Sequence, residues 1–370
     1  MLAMQHYNAS PTALANQSHG TAKVAAVAAE AQNISDQRTP TAAVLCMTLG
    51  ILSNILALFI LAKAYNRMRR RSKATFLLFA SSLVATDLAG HIVSGALVLT
   101  HYSSPGSHNN SGSVDPSCQF LGGCMVFFGL CPLFMGCAMA AERCLGVTKP
   151  LLHASWVSTA RTKLALSFIW LVALLVALLP SFNLGRYTYQ HPMTWCFISV
   201  LEETRAGDVA FVLIFSGLGM ASLAVAMVCN TISGITLVRA RLRSTRTKSR
   251  RAAKSHDIEM VVQLLGIMIT SCICWVPLLT FDLMSVMQSY RGYMDDDQSS
   301  YYKELLLTGV RLASLNQVLD PWVYILLRRA VLRKIYCLTT CGRVNLQGST
   351  FRRWEISSLQ SSEKKSVNRM

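Results

Sequence analysis

Seven long apolar segments constrain the fold of this chain more than any other feature. They cover residues 42–62, 76–99, 120–145, 164–182, 209–237, 260–287 and 305–327. Each is close to or above the roughly 20 residues that an α-helix needs to cross a bilayer. Only 14% of the 370 residues are charged, where a soluble domain has about 25%. We therefore predict an all-α membrane protein built as a bundle of seven transmembrane helices.

The basic residues indicate how the bundle is oriented. The net charge of +17 could suggest a nucleic-acid partner, but the basic residues cluster after segments 1, 3, 5 and 7, which all lie on one side of the membrane. The positive-inside rule assigns that side to the cytoplasm and places the N-terminus outside. We expect these basic loops to contact anionic membrane lipids and a cytoplasmic partner, and we expect no nucleic acid. The clusters comprise Lys63, Arg67, Arg69, Arg70, Arg71 and Lys73; Lys149, Arg161 and Lys163; Arg239, Arg241, Arg243, Arg246, Lys248, Arg250, Arg251 and Lys254; and Arg328, Arg329, Arg333 and Lys334.

Glycosylation motifs agree with this orientation. N-x-S/T sequences begin at Asn8, Asn16, Asn33 and Asn109, and all four fall on the predicted outer side. We therefore divide the chain into a glycosylated extracellular tail over 1–40, a transmembrane domain over 41–337 and a cytoplasmic tail over 338–370.

The cysteines give an independent check. Ten of the twelve lie inside segments or on the cytoplasmic side, which leaves Cys118 and Cys196 at the outer face. By elimination, we predict a disulfide between the start of segment 3 and the loop after segment 4. Cys337 and Cys341 follow segment 7 beside basic residues. The sequence is compatible with palmitoylation of these cysteines and with free thiols.

Polar residues inside the segments are costly in lipid and therefore need an explanation. Asn54, Asp87 and Asp320 lie in segments 1, 2 and 7. They can form a structural network in which each group has a partner, or a cation or proton site that changes between two conformations. We favour a network that does both.

Segments 3, 6 and 7 carry further polar or helix-weakening residues. Glu142 and Arg143 are adjacent at the membrane boundary, where a half-solvated ion pair is the simplest interpretation. Pro277 follows Trp275 in segment 6, and Pro321 follows Asp320 in segment 7. Each proline removes a backbone hydrogen bond, which suggests that these two helices move.

These residues, taken in order, resemble the rhodopsin class of G-protein-coupled receptors. The resemblance covers about 41 to 337 and rests on Asn54, Asp87, Cys118 with Cys196, Glu142-Arg143-Cys144, Cys274-Trp275-Val276-Pro277 and Asp320-Pro321-Trp322-Val323-Tyr324. It implies a plasma-membrane receptor without a cofactor or enzymatic activity, with a short amphipathic helix after segment 7. It also implies that segment 6 swings outward below Pro277 and opens a cleft beside Arg143 for a heterotrimeric G protein. Tyr324 belongs to the same switch.

Segment 7 carries a second charge, Arg311, which indicates the ligand. Amine receptors of this class have an aspartate where this chain has Met125, and opsins have the retinal lysine where it has Ser314. Arg311 lies nine residues before Asp320, or about 13.5 Å toward the outer face. A guanidinium there can hold a carboxylate through two parallel hydrogen bonds, which predicts an anionic ligand with an apolar body. The alternative is that Arg311 pairs with Asp282 of segment 6.

Within the class, the closest resemblance is to the prostanoid receptors. It rests on RLASLNQVLDPWVY from 311, MTWCF from 193, ERCLGVTKP from 142 and FLGGCMVFFGLCPL from 120. In that family the arginine holds the prostanoid carboxylate, with Thr194 and Tyr102 at the matching positions closing around it. Ser314 and Gln317 then form the floor, while Met125 and Trp275 contact the apolar chains.

Other stretches of the sequence indicate which prostanoid is the ligand. LAGHIVSGALVLTHY and SHDIEMVVQLLGIM are most similar to members that bind prostaglandin E2 and signal through Gq, phospholipase C and calcium. SCICW and YILLRRAVL are also close to members that bind prostaglandin F2α. The third cytoplasmic loop, predicted over 239–257, is shorter than in the first group.

Two other classes of protein compete with a receptor. An organic anion transporter would use the buried charges for coupled transport, but the chain has no internal repeat that relates two halves. A membrane enzyme would need a nucleophile with a base, or a metal cluster, and His91 and His101 are too isolated in sequence to suggest either.

Overall fold

The protein is described by a computed structural model that covers residues 40–68, 74–103, 115–200, 205–243, 251–291 and 296–326. The N-terminal sequons, Asn109, Cys337, Cys341 and the amphipathic helix expected after segment 7 lie outside these residues.

Seven long helices correspond to the seven apolar segments. They are α1 (Thr41–Met68), α2 (Ala74–Ser103), α3 (Pro116–Thr148), α4 (Thr159–Ala177), α5 (Ala206–Arg243), α6 (Arg251–Tyr290) and α7 (Asp296–Leu326). The first six are long and apolar enough to cross a membrane by length and composition. α7 falls below that level of hydropathy among the described residues, and it is the helix that carries both Arg311 and Asp320.

Most helices are longer than the apolar segments that predicted them. A spanning helix can continue into the headgroup region and beyond, because its backbone hydrogen bonds are satisfied internally whatever the solvent. α5 reaches Arg243 and α6 begins at Arg251. The prediction of a loop over 239–257 was therefore wrong at both ends, since charged residues continue the two helices there.

Three short elements were not predicted. A single-turn 3-10 helix, Leu179–Phe182, follows α4. A two-turn connecting helix, Pro150–Trp156, lies between α3 and α4, and an antiparallel hairpin of β1 (Tyr187–Gln190) and β2 (Trp195–Ile198) lies between α4 and α5. These segments are too short to show a distinct periodicity in the sequence.

α3 is the central element of the fold. It packs against α2, α4, α5, the connecting helix and both strands of the hairpin. Its outer end is held by the predicted disulfide, since Cys118 and Cys196 are bonded. Asp115 caps the first turn by accepting a hydrogen bond from the Ser117 amide at 2.9 Å.

Close packing at α1 and at α7 depends on glycines. The His91 ring of α2 lies so close to Gly50 of α1 that an added Cβ would stand 2.3 Å from its Nε2 atom. An added Cβ on Gly309 of α7 would stand 2.9 Å from the Leu278 Cα of α6. Gly50 and Gly309 therefore permit helix approaches that no larger side chain allows without movement.

Candidate functional site

A cavity of about 360 Å³ lies in the outer half of the bundle. Its walls come from α1, α2, α3, α5, α6, α7 and the hairpin. All seven residues that the sequence predicted to contact ligand line this one cavity: Tyr102, Met125, Thr194, Trp275, Arg311, Ser314 and Gln317. Its size lies in the range of about 300–1,000 Å³ that is usual for small-molecule sites.

Arg311 provides a positive charge at the cavity. Its side chain is exposed, and no carboxylate pairs with it among the residues that the structure describes. Asp282, the alternative partner, is fully buried, and neither of its carboxylate oxygens has a hydrogen-bond partner there. Asp282 does not line the cavity. The predicted alternative, an Arg311–Asp282 ion pair, is therefore absent from this structure.

The hairpin covers part of the cavity. Thr194, in the turn between the strands, is buried and lines it together with Trp195 and Phe197. The disulfide fixes β2 to the top of α3. Tyr189 of β1 donates a hydrogen bond to Asp115 at the start of the same helix. Gln119 of α3 also donates to the Tyr187 carbonyl of β1 at 3.0 Å. The hairpin is thus attached to α3 at three places and can act as a lid.

The floor of the cavity is tied to other helices through Gln317. Its side-chain amide donates to the Phe128 carbonyl of α3 at 3.0 Å, and its backbone carbonyl accepts from Asn54 of α1 at 3.1 Å. Ser314, one turn outward, donates to the Val310 carbonyl of its own helix at 2.9 Å. Gln317 therefore touches both the cavity and the first member of the predicted polar network.

The sequence missed several cavity residues. His91 is buried and lines the cavity, and its Nε2 atom has no hydrogen-bond partner among the described residues. Its position one turn after Asp87 was the available signal. The aromatic side chains of Phe128, Phe197 and Phe215 also line the cavity. Nothing in the apolar segments distinguishes Phe128 and Phe215 from lipid-facing residues, and Phe197 belongs to the hairpin, which was not predicted.

Below the cavity, the predicted polar network is only partly connected. Asn316 donates to the Asp320 carboxylate at 2.8 Å. Asp87 is fully buried, and among the described residues neither of its oxygens accepts a hydrogen bond. The structural version of the prediction, in which every acid and amide has a partner, is therefore wrong for Asp87. Pro277 and Pro321 stand inside continuous helices, and Tyr324 lies in the last turn of α7.

At the cytoplasmic end, Glu142 and Arg143 make different contacts. One carboxylate oxygen of Glu142, Oε1, lies 3.1 Å from Nε2 of His153 and accepts a hydrogen bond from Thr75 at 3.2 Å. The Arg143 guanidinium lies over the ring of Phe76, 3.9 Å from its centroid. The simple ion pair expected at this boundary therefore does not describe Glu142, whose observed partners come from α2 and the connecting helix.

Comparison with known proteins agrees with this geometry. Residues 53–324 match the model of the 7 transmembrane receptor (rhodopsin family). Squid rhodopsin superposes with a TM-score of 0.62 over 82% of this chain and 86% of its own, at 14% sequence identity, which supports the fold alone. The chain belongs to the rhodopsin family of seven-transmembrane, G-protein-coupled receptors, and it is not an enzyme.

Curated relatives narrow the family further. The chain is 45% identical to the prostaglandin E2 receptor EP1 subtype of Canis lupus familiaris, over 90% of this chain and 91% of that protein. It is 43% identical to the human prostaglandin F2-alpha receptor, over 87% and 86%. Within the rhodopsin family it is therefore a prostanoid receptor of the plasma membrane.

Proposed function

We propose that this receptor binds prostaglandin E2 in the outer cavity, with the ligand carboxylate on Arg311, and activates Gq, phospholipase C and calcium release. The observation that carries the proposal is Arg311, a cation without an ion-pair partner among the described residues, on the wall of a largely apolar cavity. A bidentate pair with a carboxylate satisfies such a group better than any neutral ligand does.

The rest of the cavity suits an amphipathic lipid. Thr194 and Tyr102 can donate hydroxyl hydrogens to the same carboxylate, while Ser314 and Gln317 form a polar floor. Met125, Trp275 and the phenylalanines provide apolar surface for two hydrocarbon chains. His91, with its unpartnered ring nitrogen, is available to a ligand oxygen.

Activation follows if the cavity fits agonist better in the active conformation, because a ligand shifts a population only through differential affinity. We propose that α6 moves outward below Pro277 and exposes Arg143 to the G protein, and that Asn54, Asp87, Asp320, Pro321 and Tyr324 respond through α7. The division into an extracellular tail over 1–40, glycosylated with Asn109, a receptor domain over 41–337 and a cytoplasmic tail over 338–370 is part of the same proposal.

Prostaglandin F2α is the second candidate ligand, since the human prostaglandin F2-alpha receptor is almost as similar as the EP1 relatives. Saturation binding of radiolabelled prostaglandin E2 to wild type, with prostaglandin F2α as competitor, decides between them. If prostaglandin F2α displaced the radioligand at lower concentration than unlabelled prostaglandin E2 does, the receptor would be reassigned to prostaglandin F2α.

The anchor is tested by the Arg311→Ala variant in the same assay. Loss of a charge-assisted pair worth about 1.5–3 kcal/mol predicts binding weaker by about 10- to 150-fold. Arg291→Ala is the matched control, since Arg291 is also an exposed cation, directly follows the outer end of α6 and does not line the cavity. Wild-type affinity in an Arg311→Ala receptor that reaches the cell surface would refute the carboxylate anchor.

Coupling is tested by nucleotide exchange on purified Gq and on other heterotrimeric G proteins. Agonist-dependent exchange on Gq supports the proposal, whereas exchange confined to another G protein would overturn the Gq assignment.

A further inference from the structure

A free cysteine lies on the wall of the ligand cavity. Cys46 of α1 is half-buried, forms no disulfide and lines the outer cavity. None of the other free cysteines in the described part of the chain lines it. A cysteine inside an apolar helix ordinarily serves as a small apolar side chain. A chemical role for Cys46 therefore requires a second feature of the same wall that calls for a ligand.

His91 of α2 is that second feature. Its side chain is only 7% exposed, it lines the same cavity, and its Nε2 atom has no hydrogen-bond partner among the described residues. A buried polar atom without a partner costs free energy, and a bound ligand can supply the partner. In the tautomer that carries the proton on Nε2, the ring donates to a ligand oxygen. The wall thus combines a nucleophilic sulfur with a hydrogen-bond donor.

The packing of α1 on α2 places these two groups about one helical turn apart. The His91 ring lies against Gly50, where an added Cβ would stand 2.3 Å from Nε2. Cys46 precedes Gly50 by four residues, so it lies on the same face of α1, about 5.4 Å along the axis toward the outer end. Beside it, a Cβ added on Gly95 of α2 would stand 2.5 Å from the Met47 sulfur. Cys46 and His91 therefore belong to one closely packed patch of the cavity wall.

This patch fits a ligand that carries an α,β-unsaturated ketone. Such a group has an oxygen that accepts a hydrogen bond and, at the other end of the conjugated system, a carbon that a thiol attacks. Prostaglandin E2, the ligand proposed above, has a β-hydroxyketone in its ring, and loss of water from a β-hydroxyketone gives a cyclopentenone of this kind. The product keeps the carboxylate that Arg311 would hold.

We propose that Cys46 is a modification site for cyclopentenone lipid carboxylates, which bind with the ring ketone on His91 Nε2 and then form a covalent bond to the Cys46 sulfur. The bound lipid then occupies the cavity without dissociating. Arg311 and His91 hold the lipid at two points, so the reactive carbon is kept beside the thiol. The identity of the lipid rests on the proposed function.

The reaction is an addition and needs no oxidant and no leaving group. The sulfur bonds to the β-carbon of the enone while the carbon–carbon π bond breaks. The electron pair of that bond moves toward the ketone oxygen, where the hydrogen bond from His91 stabilises the developing charge. The thiol proton ends on the α-carbon. One S–H bond and one π bond are thus exchanged for one C–S bond and one C–H bond.

Peptide mass spectrometry of the full-length receptor in lipid nanodiscs tests the proposal. The probe is the cyclopentenone made from prostaglandin E2 by loss of water, and the peptide that contains Cys46 should gain the mass of the whole probe. Cys124 of α3 is the matched internal control, because it is also free and half-buried but does not line the cavity. We expect Cys46 to be labelled at least about tenfold faster than Cys124, since a bound probe is held close to the thiol.

Competition and two variants of His91 sharpen the test. Prostaglandin E2 at ten times its Kd should slow the labelling of Cys46 roughly tenfold by occupying the cavity. His91→Phe keeps a ring and removes the donor, so it should slow the covalent step at saturating probe about tenfold or more. His91→Gln keeps an amide donor and should lose less. After washing, probe-treated wild type should have lost its prostaglandin E2 sites, and Cys46→Ser should recover them.

Four outcomes would overturn the covalent site: no adduct on Cys46, equal labelling of Cys46 and Cys124, labelling that bound prostaglandin E2 does not slow, and an unchanged rate in His91→Phe. Radioligand binding separates these results from the proposed function. If prostaglandin E2 binds and Cys46 is not labelled, only the covalent site is wrong. If prostaglandin E2 does not bind and the probe still labels Cys46 at least about tenfold faster than Cys124, the proposed ligand is wrong and the reactive site stands.

Discussion

Two charged residues of α7, Arg311 and Asp320, lie nine positions apart but differ in their exposure and in their partners. Arg311 is exposed to a cavity and has no ion-pair partner among the described residues. Asp320 is buried and accepts a hydrogen bond from Asn316 of its own helix. The outer charge is left available, as the proposed ligand contact requires, whereas the inner charge is surrounded by protein. Gln317 lies between them and contacts both regions.

The largest expected effect comes from a test of what Arg311 requires in the ligand. The test distinguishes a negative charge from a neutral polar group. The methyl ester of prostaglandin E2 keeps the rest of the ligand, adds one methyl group to the carboxyl and removes its charge. In wild type we expect the ester to bind about 10- to 100-fold more weakly than the acid, the cost of a charge-assisted pair. In Arg311→Gln the two ligands should bind nearly equally. Competition binding measures all four affinities, and a persistent preference for the acid in the variant would place the carboxylate elsewhere.

The second test concerns the inner charge. Asn316→Ala removes the observed partner of the Asp320 carboxylate, and leaving a buried acceptor unsatisfied costs about 1–3 kcal/mol. We expect a lower thermal stability with ligand affinity close to wild type, which is the reverse of the profile at Arg311. Leu319→Ala is the control on the same helix, because Leu319 is exposed. If the Asn316→Ala variant lost as much free energy of ligand binding as of unfolding, the outer and inner regions of α7 would be energetically coupled.

The third test concerns the contact between α1 and α2, where His91 of α2 packs on Gly50 of α1. Gly50→Ala puts a Cβ 2.3 Å from the His91 Nε2 atom, and relieving such overpacking costs about 1 kcal/mol or more. Gly136→Ala is the control, since nothing lies within 4 Å of its added Cβ, and helix propensity favours alanine there. Thermal unfolding of both variants measures the difference. Adding His91→Ala to Gly50→Ala should recover part of the loss, and full additivity would argue against direct contact.

The membrane bundle and the cavity residues could be predicted from the sequence for a physical reason. Length and hydropathy specify spanning helices almost without tertiary information, and an arginine inside an apolar segment is costly enough to mark a site. Arg311 could therefore be identified from the free-energy cost of placing its charge in lipid. Thr194 and Gln317 were predicted only through the resemblance to a family, since nothing in their own physical chemistry marks them as ligand contacts.

What the sequence did not predict depends on tertiary contacts. The hairpin around Cys196 and the connecting helix that holds His153 are short, and short elements are fixed by what they pack on. The choice of Thr75 and His153 as partners of Glu142 could not be predicted, because they come from two other elements. For the same reason, Asp282 could be proposed as a partner of Arg311 although the folded helices keep them unpaired.

The smallest expected effect concerns the lid over the outer region. Burial, followed by the hydrogen bond and the charge of Asp115, raises the pKa of Tyr189 above its usual range. Tyr189→Phe removes this hydrogen bond, and we expect a loss of about 0.5–1 kcal/mol at neutral pH with slightly faster release of ligand.

The pH dependence of that variant gives the sharper measurement. Because the phenol keeps its proton in the folded state at a pH where the unfolded chain has lost it, the stabilising contribution is present below the ordinary tyrosine pKa of about 10 and is lost as pH rises above it. Wild type should therefore lose thermal stability more steeply than Tyr189→Phe above about pH 10, and the two curves should run parallel near neutrality. Parallel curves throughout would show that the bond to Asp115 does not attach the lid to α3, and the lid would then be held by the disulfide and by the hydrogen bond from Gln119 to the Tyr187 carbonyl.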